Sequence, residues 1–355
     1  VRRRPPSSRV LHLIGDKTID FIKGTLILFV ILGHTTLGLT DMYSFDDTMN
    51  GIANIIYSFH MPCFIAVSGF LYSEYVGNAS QGIFSRICHK AFNILLPYVM
   101  ISVIYWIIKF ALSNLIREPV AISSLISIPW KPIEFLWYLY ALFLIYCVAY
   151  MADYVFARLL PHFNYKMELL FVLFLIIAFT CYGSFHYEGF NYIAGFQIYF
   201  YLGCLIKKWL DKLDNRYAVL SLAVMSVLVE TSGIVLQDDM SSNPLFSCLF
   251  ERFTACIVTV FIFAVSYFLS GYCDFPKWLQ TIGRDSMPFY AMNVIFVGGI
   301  RIILDRAGIT NMALQCICGF AGSTAICWIL YECIIKKIGF INFIFYPCKH
   351  LYIRK

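Results

Sequence analysis

Long apolar runs separated by short polar segments dominate the chain. A helix that crosses a bilayer needs about 20 predominantly apolar residues, and ten runs meet or approach that length. The segment 339–351 is too short to span and is rich in aromatic residues, so we expect it to lie at the membrane interface. The pattern predicts spanning helices over 19–40, 51–73, 91–112, 135–156, 167–185, 191–206, 217–236, 248–270, 282–303 and 312–335.

Composition supports an all-α, polytopic membrane protein. Of the 355 residues, 60% are hydrophobic and only 14% are charged, whereas soluble domains carry about a quarter charged residues. A soluble fold has no interior large enough to hide this much apolar surface. We therefore predict one membrane domain over 19–335, preceded by a basic cytoplasmic segment at 1–18 and followed by an interfacial or cytoplasmic segment at 336–355.

The distribution of charge predicts the orientation of the chain. With the N-terminus inside, most of the 27 Lys and Arg fall in segments that face the cytoplasm, as the positive-inside rule requires. Two of the outer loops are acidic instead, with Asp41 in one and Asp238 in the other. Ten spans then place both termini in the cytoplasm. The net charge of +6 follows from this topology and does not indicate a nucleic-acid partner.

Cysteine usage gives no sign of a metal or redox site. Most of the 13 cysteines fall inside apolar runs, and no pair has the CxxC spacing. Cys316 and Cys318 are separated by a single residue, which does not suit a zinc or dithiol site. We interpret the cysteines as small apolar residues between helices and predict no bound metal.

Three ionisable residues interrupt the first apolar helix. Asp20 and Lys23 are three residues apart, so they are neighbours on the helix surface. Lys23 and His34 are eleven residues apart, which places them on one face about 16 Å apart along the axis. Asp20 and Lys23 alone would also fit an interfacial ion pair, and His34 would fit a hydrogen-bonded structural histidine. An ionisable group inside a membrane is otherwise a candidate functional residue.

The second helix carries His60 at a predicted depth similar to that of His34. Pro62 follows closely and removes a backbone donor, while Ser68 and Gly69 would equally suit close helix packing.

In the next cytoplasmic loop, Arg86 and Lys90 are one helical turn apart. They suit a phosphorylated ligand, although positive-inside anchoring alone would also explain them. Further charges lie near predicted outer helix ends, where they suit either the interface or a polyhydroxylated ligand: Lys109, Glu134, Glu230, Glu251 and Arg252.

Four segments together resemble the acyltransferase 3 family of membrane acyltransferases. Lys23 and His34 keep the family's spacing of a basic residue, ten residues and a histidine. Phe59-His60-Met61-Pro62 with Ser68-Gly69-Phe70 resembles its second-helix motif. Segments 136–142 and 282–290 resemble its Leu-Trp-Phe-Leu-Tyr and Gly-x-x-Ser motifs. The chain also resembles the fucose 4-O-acetylase-like subgroup. It departs from the family at Asn293, where many members have His, and in having Arg86 and Lys90 rather than an Arg-rich cluster.

The resemblance implies a bacterial plasma-membrane enzyme that transfers an acyl group from acetyl-CoA, or another short acyl-CoA, to a sugar hydroxyl. The acceptor would be a cell-surface polysaccharide or its polyprenyl-linked precursor. His34 would act as the base, because an imidazole titrates in the range that this chemistry needs. Lys23, held by Asp20, would contact the donor or stabilise developing charge. Arg86 and Lys90 would bind the CoA phosphates. The remaining predicted substrate-binding residues are His60, Ser68, Trp137, Glu251 and Arg252.

A transporter or flippase for lipid-linked sugars or small polar substrates is the alternative. Such a protein would use the same intramembrane histidines and charges along its substrate path. The paired inverted repeats that many transporters show are not visible in the sequence.

Overall fold

The structure, a computed structural model, describes residues 8–40, 42, 47–75, 82–111, 122–181, 184–213, 215–236 and 243–352. These residues are mostly helical and include no β-strand, which confirms the predicted all-α class. The helices in chain order are α1 (Ser8–Thr40), α2 (Asp47–Tyr75), α3 (Ile83–Lys90), α4 (Leu96–Ala111), α5 (Ile122–Ser127), α6 (Trp137–Leu159), α7 (Lys166–Thr180), α8 (Glu188–Leu213), α9 (Arg216–Val235), α10 (Pro244–Ser270), α11 (Lys277–Arg284), α12 (Ser286–Arg306), α13 (Met312–Leu330), α14 (Gly339–Phe345) and α15 (Pro347–Tyr352).

Eight helical segments of the described chain are long and apolar enough to cross a membrane. They fall at eight of the ten predicted positions, and they fit a multi-pass membrane protein. The other two predicted spans correspond to α7 and α9, which are helical but are not among the eight. The number of ten spans and the cytoplasmic position of both termini remain predictions.

Helix boundaries differ from the prediction where polar residues continue or interrupt a helix. α1 begins at Ser8 rather than at residue 19, because helix formation does not require apolar residues. One turn of π-helix, Ala91–Leu95, joins α3 to α4 and extends the third span to Ile83–Ala111. The span predicted over 282–303 is interrupted at Asp285, whose φ of −109° and ψ of 43° lie outside the helical region.

The chain divides into two compact units. Unit 1 comprises 1–70 and 202–331, and unit 2 comprises 71–201 and 332–355. In unit 1, α1 packs against α10, α11, α12 and α13. In unit 2, α3 packs against α6.

Two glycines let α1 and α11 approach backbone to backbone in unit 1. A Cβ atom on Gly24 would lie 2.1 Å from the Leu279 carbonyl oxygen, and one on Gly283 would lie 1.7 Å from the Asp20 carbonyl oxygen. Neither position leaves room for a side chain. The stacked rings of Phe21 and Phe275, with centroids 3.8 Å apart, extend this contact.

Candidate functional site

A single uninterrupted helix carries the three ionisable residues predicted to be catalytic. Asp20, Lys23 and His34 all lie within α1, so the 3.6-residue period applies along the whole stretch. All three side chains are partly exposed, although several of their neighbours, such as Ile22, are buried. Lys23 and His34 therefore share a face of α1 and are about 16 Å apart along its axis.

The His34 imidazole has a hydrogen-bond partner on the next helix. Its Nδ1 atom lies 3.2 Å from the Tyr57 hydroxyl oxygen, which connects α1 to α2. His60 packs edge-on against the same tyrosine ring, with centroids 4.8 Å apart. The two predicted histidines thus both contact Tyr57, and they are close enough to interact electrostatically.

The tautomer of His60 follows from its own hydrogen bond. Its Nδ1 atom lies 2.7 Å from the Ile56 carbonyl oxygen, which has no proton to donate. Nδ1 must therefore carry the hydrogen, and in the neutral ring Nε2 is left as an acceptor. His60 is buried, so its ring is held by this bond and by Tyr57.

Gly33 permits the close approach of Tyr57 to α1. A Cβ atom at Gly33 would lie 3.1 Å from Ile56 Cγ2 and 3.2 Å from Tyr57 Cε2, tighter than ordinary side-chain contacts. The sequence interpretation missed Tyr57. Its position one helical turn before His60 was the available signal, because residues three apart on a helix are neighbours.

A serine–glutamate contact lies next to this cluster. Ser58 directly follows Tyr57, and its hydroxyl oxygen lies 2.8 Å from Glu230 Oε1 of α9. The predicted substrate residue Ser68 lies elsewhere, ten residues further along α2, where its hydroxyl donates to the Phe64 carbonyl of the same helix at 3.3 Å. The structure does not bring Ser68 to the two histidines.

The two predicted substrate residues on α10 have opposite environments. Arg252 is buried, and its Nε atom lies 3.3 Å from Cys248 Sγ. Glu251 is exposed and accepts a hydrogen bond from Ser247 at 2.8 Å within the same helix. Only Arg252 therefore points toward the interior of unit 1.

The Gly-x-x-Ser segment forms the junction between α11 and α12. Asp285 is buried there and accepts hydrogen bonds from the Tyr331 hydroxyl at 2.7 Å and from Arg284 Nε at 3.3 Å. Arg284 also interacts electrostatically with Asp20 of α1. Gly283 brings this junction against the part of α1 around Asp20 and Gly24.

Asn293, the position at which many family members have His, is fully buried in α12. Its side-chain amide donates to the carbonyl oxygens of Phe289 and Tyr290 at 3.0 and 2.7 Å, both within its own helix. The structure does not connect Asn293 to His34 through any hydrogen bond among the described residues.

In unit 2, the two predicted phosphate-binding cations lie over tyrosine rings. Lys90 Nζ is 3.8 Å from the centroid of the Tyr146 ring, and the Arg86 guanidinium carbon is 5.7 Å from that of Tyr150. Both pairs are spaced four residues apart, so one face of α3 lies over one face of α6. Contacts of this kind attract a cation to the face of an aromatic ring.

A partly buried ionic contact extends the same face of α6. Asp153, three residues after Tyr150, accepts a hydrogen bond from Lys166 at 2.6 Å and another from the Tyr72 hydroxyl. The i, i+4, i+7 spacing of Tyr146, Tyr150 and Asp153 would have revealed this face in the sequence.

Trp137, the remaining predicted substrate residue, stacks on Tyr192 of α8 in unit 2. The ring centroids are 5.3 Å apart, and Phe196 packs against the same indole at 5.1 Å.

Within the described ranges, no group of three or more His, Cys, Asp or Glu residues has the geometry to hold a metal ion.

Comparisons with known proteins identify the family. A family model described as an acyltransferase domain matches residues 16–332, which is most of the chain. A nodulation protein, NolL, of Mesorhizobium japonicum is 30% identical over 153 residues, covering 42% of this chain and 37% of the relative. NolL of Sinorhizobium fredii is 36% identical over 83 residues, covering 23% of this chain and 22% of the relative. The chain thus spans well under half the length of these relatives. No solved structure matches.

Proposed function

Because the chain belongs to the acyltransferase 3 family, we propose that it is a membrane O-acyltransferase that moves a short acyl group from an acyl-CoA to a sugar hydroxyl. Acetyl is the proposed acyl group. The proposed acceptor is a cell-surface polysaccharide or its polyprenyl-linked precursor, and the proposed location is the bacterial plasma membrane. The observation that carries this proposal is the family match together with an intramembrane histidine, His34, held by a tyrosine.

The chemistry needs a base, because a sugar hydroxyl is a weak nucleophile at neutral pH. In the proposed mechanism, His34 Nδ1–H donates to the Tyr57 hydroxyl, and Nε2 carries the lone pair. Nε2 takes the proton of the sugar hydroxyl as the oxygen attacks the thioester carbonyl carbon. The C–S bond then breaks, and the imidazolium returns the proton to the departing thiolate.

Lys23 has a different proposed role from His34, because the two side chains are separated by about 16 Å along α1. A group at that distance does not contact the reacting carbonyl. Lys23 is therefore proposed to bind a remote part of the donor, where a cation favours anionic groups. Asp20 and the Arg284 side chain, whose charges interact, set the electrostatic environment at this end of α1.

The proposed role of Arg86 and Lys90 in unit 2 is to bind phosphate groups of the acyl-CoA. Both side chains are partly buried against tyrosine rings, so less rotamer entropy is lost when a ligand binds. A guanidinium and an ammonium group both suit phosphate oxygens.

A transfer assay tests the proposal. Purified protein in lipid nanodiscs is incubated with acetyl-labelled acetyl-CoA and a panel of fucosylated and other oligosaccharides. The wild-type protein should move label to at least one glycan. A transporter or flippase would leave the label on CoA with every glycan present.

His34→Ala tests the proposed base. We expect transfer to fall by at least about 100-fold, as loss of a general base does. His162→Ala changes an exposed histidine in the loop between α6 and α7 and should transfer label at the wild-type rate. Melting temperatures of both variants confirm folding. Transfer by the folded His34→Ala protein at a rate close to wild type would remove His34 from the mechanism.

A further inference from the structure

Glu230 is the one carboxylate among the described residues of α9, a helix that is otherwise mostly apolar. The side chain is partly buried, and Val227, three residues earlier, is its apolar neighbour on the helix surface. An ionisable group in such a helix is costly unless it is paired or used. Glu230 is not explained by the positive-inside rule, which concerns Lys and Arg.

Glu230 makes one hydrogen bond within the described part of the chain. That bond joins Oε1 to the Ser58 hydroxyl at 2.8 Å and connects residues 172 positions apart. Ser58 has a single hydroxyl proton, and the Ile55 carbonyl oxygen also lies 2.8 Å from it. A carboxylate has about four lone-pair sites. Ser58 therefore satisfies at most one of them, and the rest are available to donors from a ligand.

The position of this carboxylate relates it to the proposed base. Ser58 and Tyr57 are consecutive in α2, so their Cα atoms are about 3.8 Å apart. Tyr57 in turn is hydrogen-bonded to His34. A glycan of a few sugar residues is long enough to contact Glu230 while its reacting hydroxyl lies at His34.

From this geometry we infer that Glu230, held by Ser58, binds hydroxyl groups of the acceptor glycan and so contributes to acceptor specificity. This inference rests on the proposed function. An ionised carboxylate accepts hydrogen bonds and donates none, so it suits the hydroxyl donors that a sugar presents on adjacent carbons. Bonds to a charged acceptor are about twice as strong as those between neutral groups. The carboxylate contacts parts of the acceptor that do not react, and it is not a catalytic residue.

Equilibrium binding without a donor separates this inference from the proposed chemistry. The probe is a panel of fluorescent neutral oligosaccharides that includes fucosylated members, titrated by fluorescence polarisation with protein in nanodiscs. Wild-type protein should bind at least one member. Glu230→Gln should weaken that binding about tenfold, because it removes the charge and half of the acceptor sites. His34→Ala, which tests catalysis, should bind the same glycan within about threefold of wild type.

Two further variants keep the result interpretable. Asp274→Asn removes an exposed carboxylate next to Phe275, which stacks on Phe21 of α1 and not on the segment around His34, and should bind the glycan as wild type does. Ser58→Ala leaves the carboxylate but removes its hydrogen bond, so binding should weaken by about two- to threefold even if Glu230→Gln does not fold. The inference is overturned if no member of the panel binds the wild-type protein. Unchanged binding in both Glu230→Gln and Ser58→Ala overturns it equally.

In the acyl-transfer assay, Glu230→Gln should raise the KM for the glycan and leave the KM for acetyl-CoA and kcat within about twofold. A loss of kcat with no change in the glycan KM would contradict a role in acceptor binding. Failure of the wild-type protein to transfer any acyl group counts against the proposed function alone, because the binding measurement does not depend on transfer.

Discussion

Tyr57 orients the His34 imidazole through a hydrogen bond to its Nδ1 atom. An imidazole on a single helix rotates about two side-chain torsions, whereas a hydrogen bond to a residue of a neighbouring helix restrains the plane of the ring. The same tyrosine ring contacts His60, whose proton position is set by the Ile56 carbonyl. The rings of both histidines are therefore held by contacts with the same tyrosine.

Replacing Tyr57 with Phe tests this positioning role. The ring and its packing stay, but the hydrogen bond to His34 Nδ1 is lost, so the productive tautomer is less populated. A hydrogen bond worth about 1 kcal/mol predicts a fall in kcat of roughly fivefold, with both KM values little changed. The pH–rate profile should shift as well, because the environment of the base changes.

Tyr217→Phe is the matched control for this substitution, since Tyr217 is an exposed tyrosine of unit 1 at the start of α9. Its kinetics should match those of the wild-type protein. If Tyr57→Phe lowered stability while leaving kcat and the pH profile unchanged, Tyr57 would be a packing residue only.

At the scale of helices, the contact between α1 and α11 explains why the late Gly-x-x-Ser segment begins with glycine. The carbonyl of Asp20 occupies the space that a Cβ atom at Gly283 would need. Asp285 ends α11 two residues later, and its carboxylate is held by Tyr331 from the end of α13. This segment therefore connects α11, α12 and the end of α13 at the part of α1 around Asp20.

Gly283→Ala should destabilise the protein by several kcal/mol, because overpacking of this kind costs about 1–3 kcal/mol even where side chains can move and here the obstacle is backbone. Gly299→Ala in α12 is the matched control. Among the described residues, no heavy atom outside the backbone of its own helix lies within 4 Å of the position that its Cβ would occupy. That change should leave stability unaltered or raise it by about 0.5–1 kcal/mol, as Ala does in helices.

Thermal melting in one detergent gives both values. A loss of this size should lower the melting temperature by several degrees. If the Gly283→Ala protein melted within about 1–2 °C of the Gly299→Ala protein, α11 would not pack against α1 in this way.

At the scale of the whole molecule, the number of spans depends on α7 and α9. α7 has 15 residues and a length of about 22 Å, whereas the hydrocarbon core is about 30 Å thick. A short helix still spans if the bilayer thins or flanking residues reach the interface. The ten-span prediction requires α7 to cross, because α7 is one of the ten predicted spans.

Cysteine labelling tests whether α7 crosses the membrane. His162 and His186 are exposed and flank α7, so a crossing places them on opposite sides. In a protein with serine at the exposed positions Cys88, Cys273 and Cys333, we expect an impermeant maleimide on intact cells to label His186→Cys only. His162→Cys should react after permeabilisation. Equal labelling of both positions on intact cells would place them on one side and exclude the ten-span topology.

The sequence alone determined the membrane class, the helical positions of the spans and the shared face of Lys23 and His34. These are local properties: apolar length and the 3.6-residue period are set by residues close together in the chain. The prediction of His60 as a site residue rests on the same local pattern, and the structure places His60 beside Tyr57.

Tertiary structure decided which residues meet. The bond between Tyr57 and His34 joins two consecutive helices. The Ser58–Glu230 contact and the placement of Gly283 against Asp20 join helices that are far apart in sequence. A periodic pattern specifies which face of a helix is polar, but it does not specify the helix that covers that face. That choice depends on how side chains of all the helices pack together, which no single segment determines.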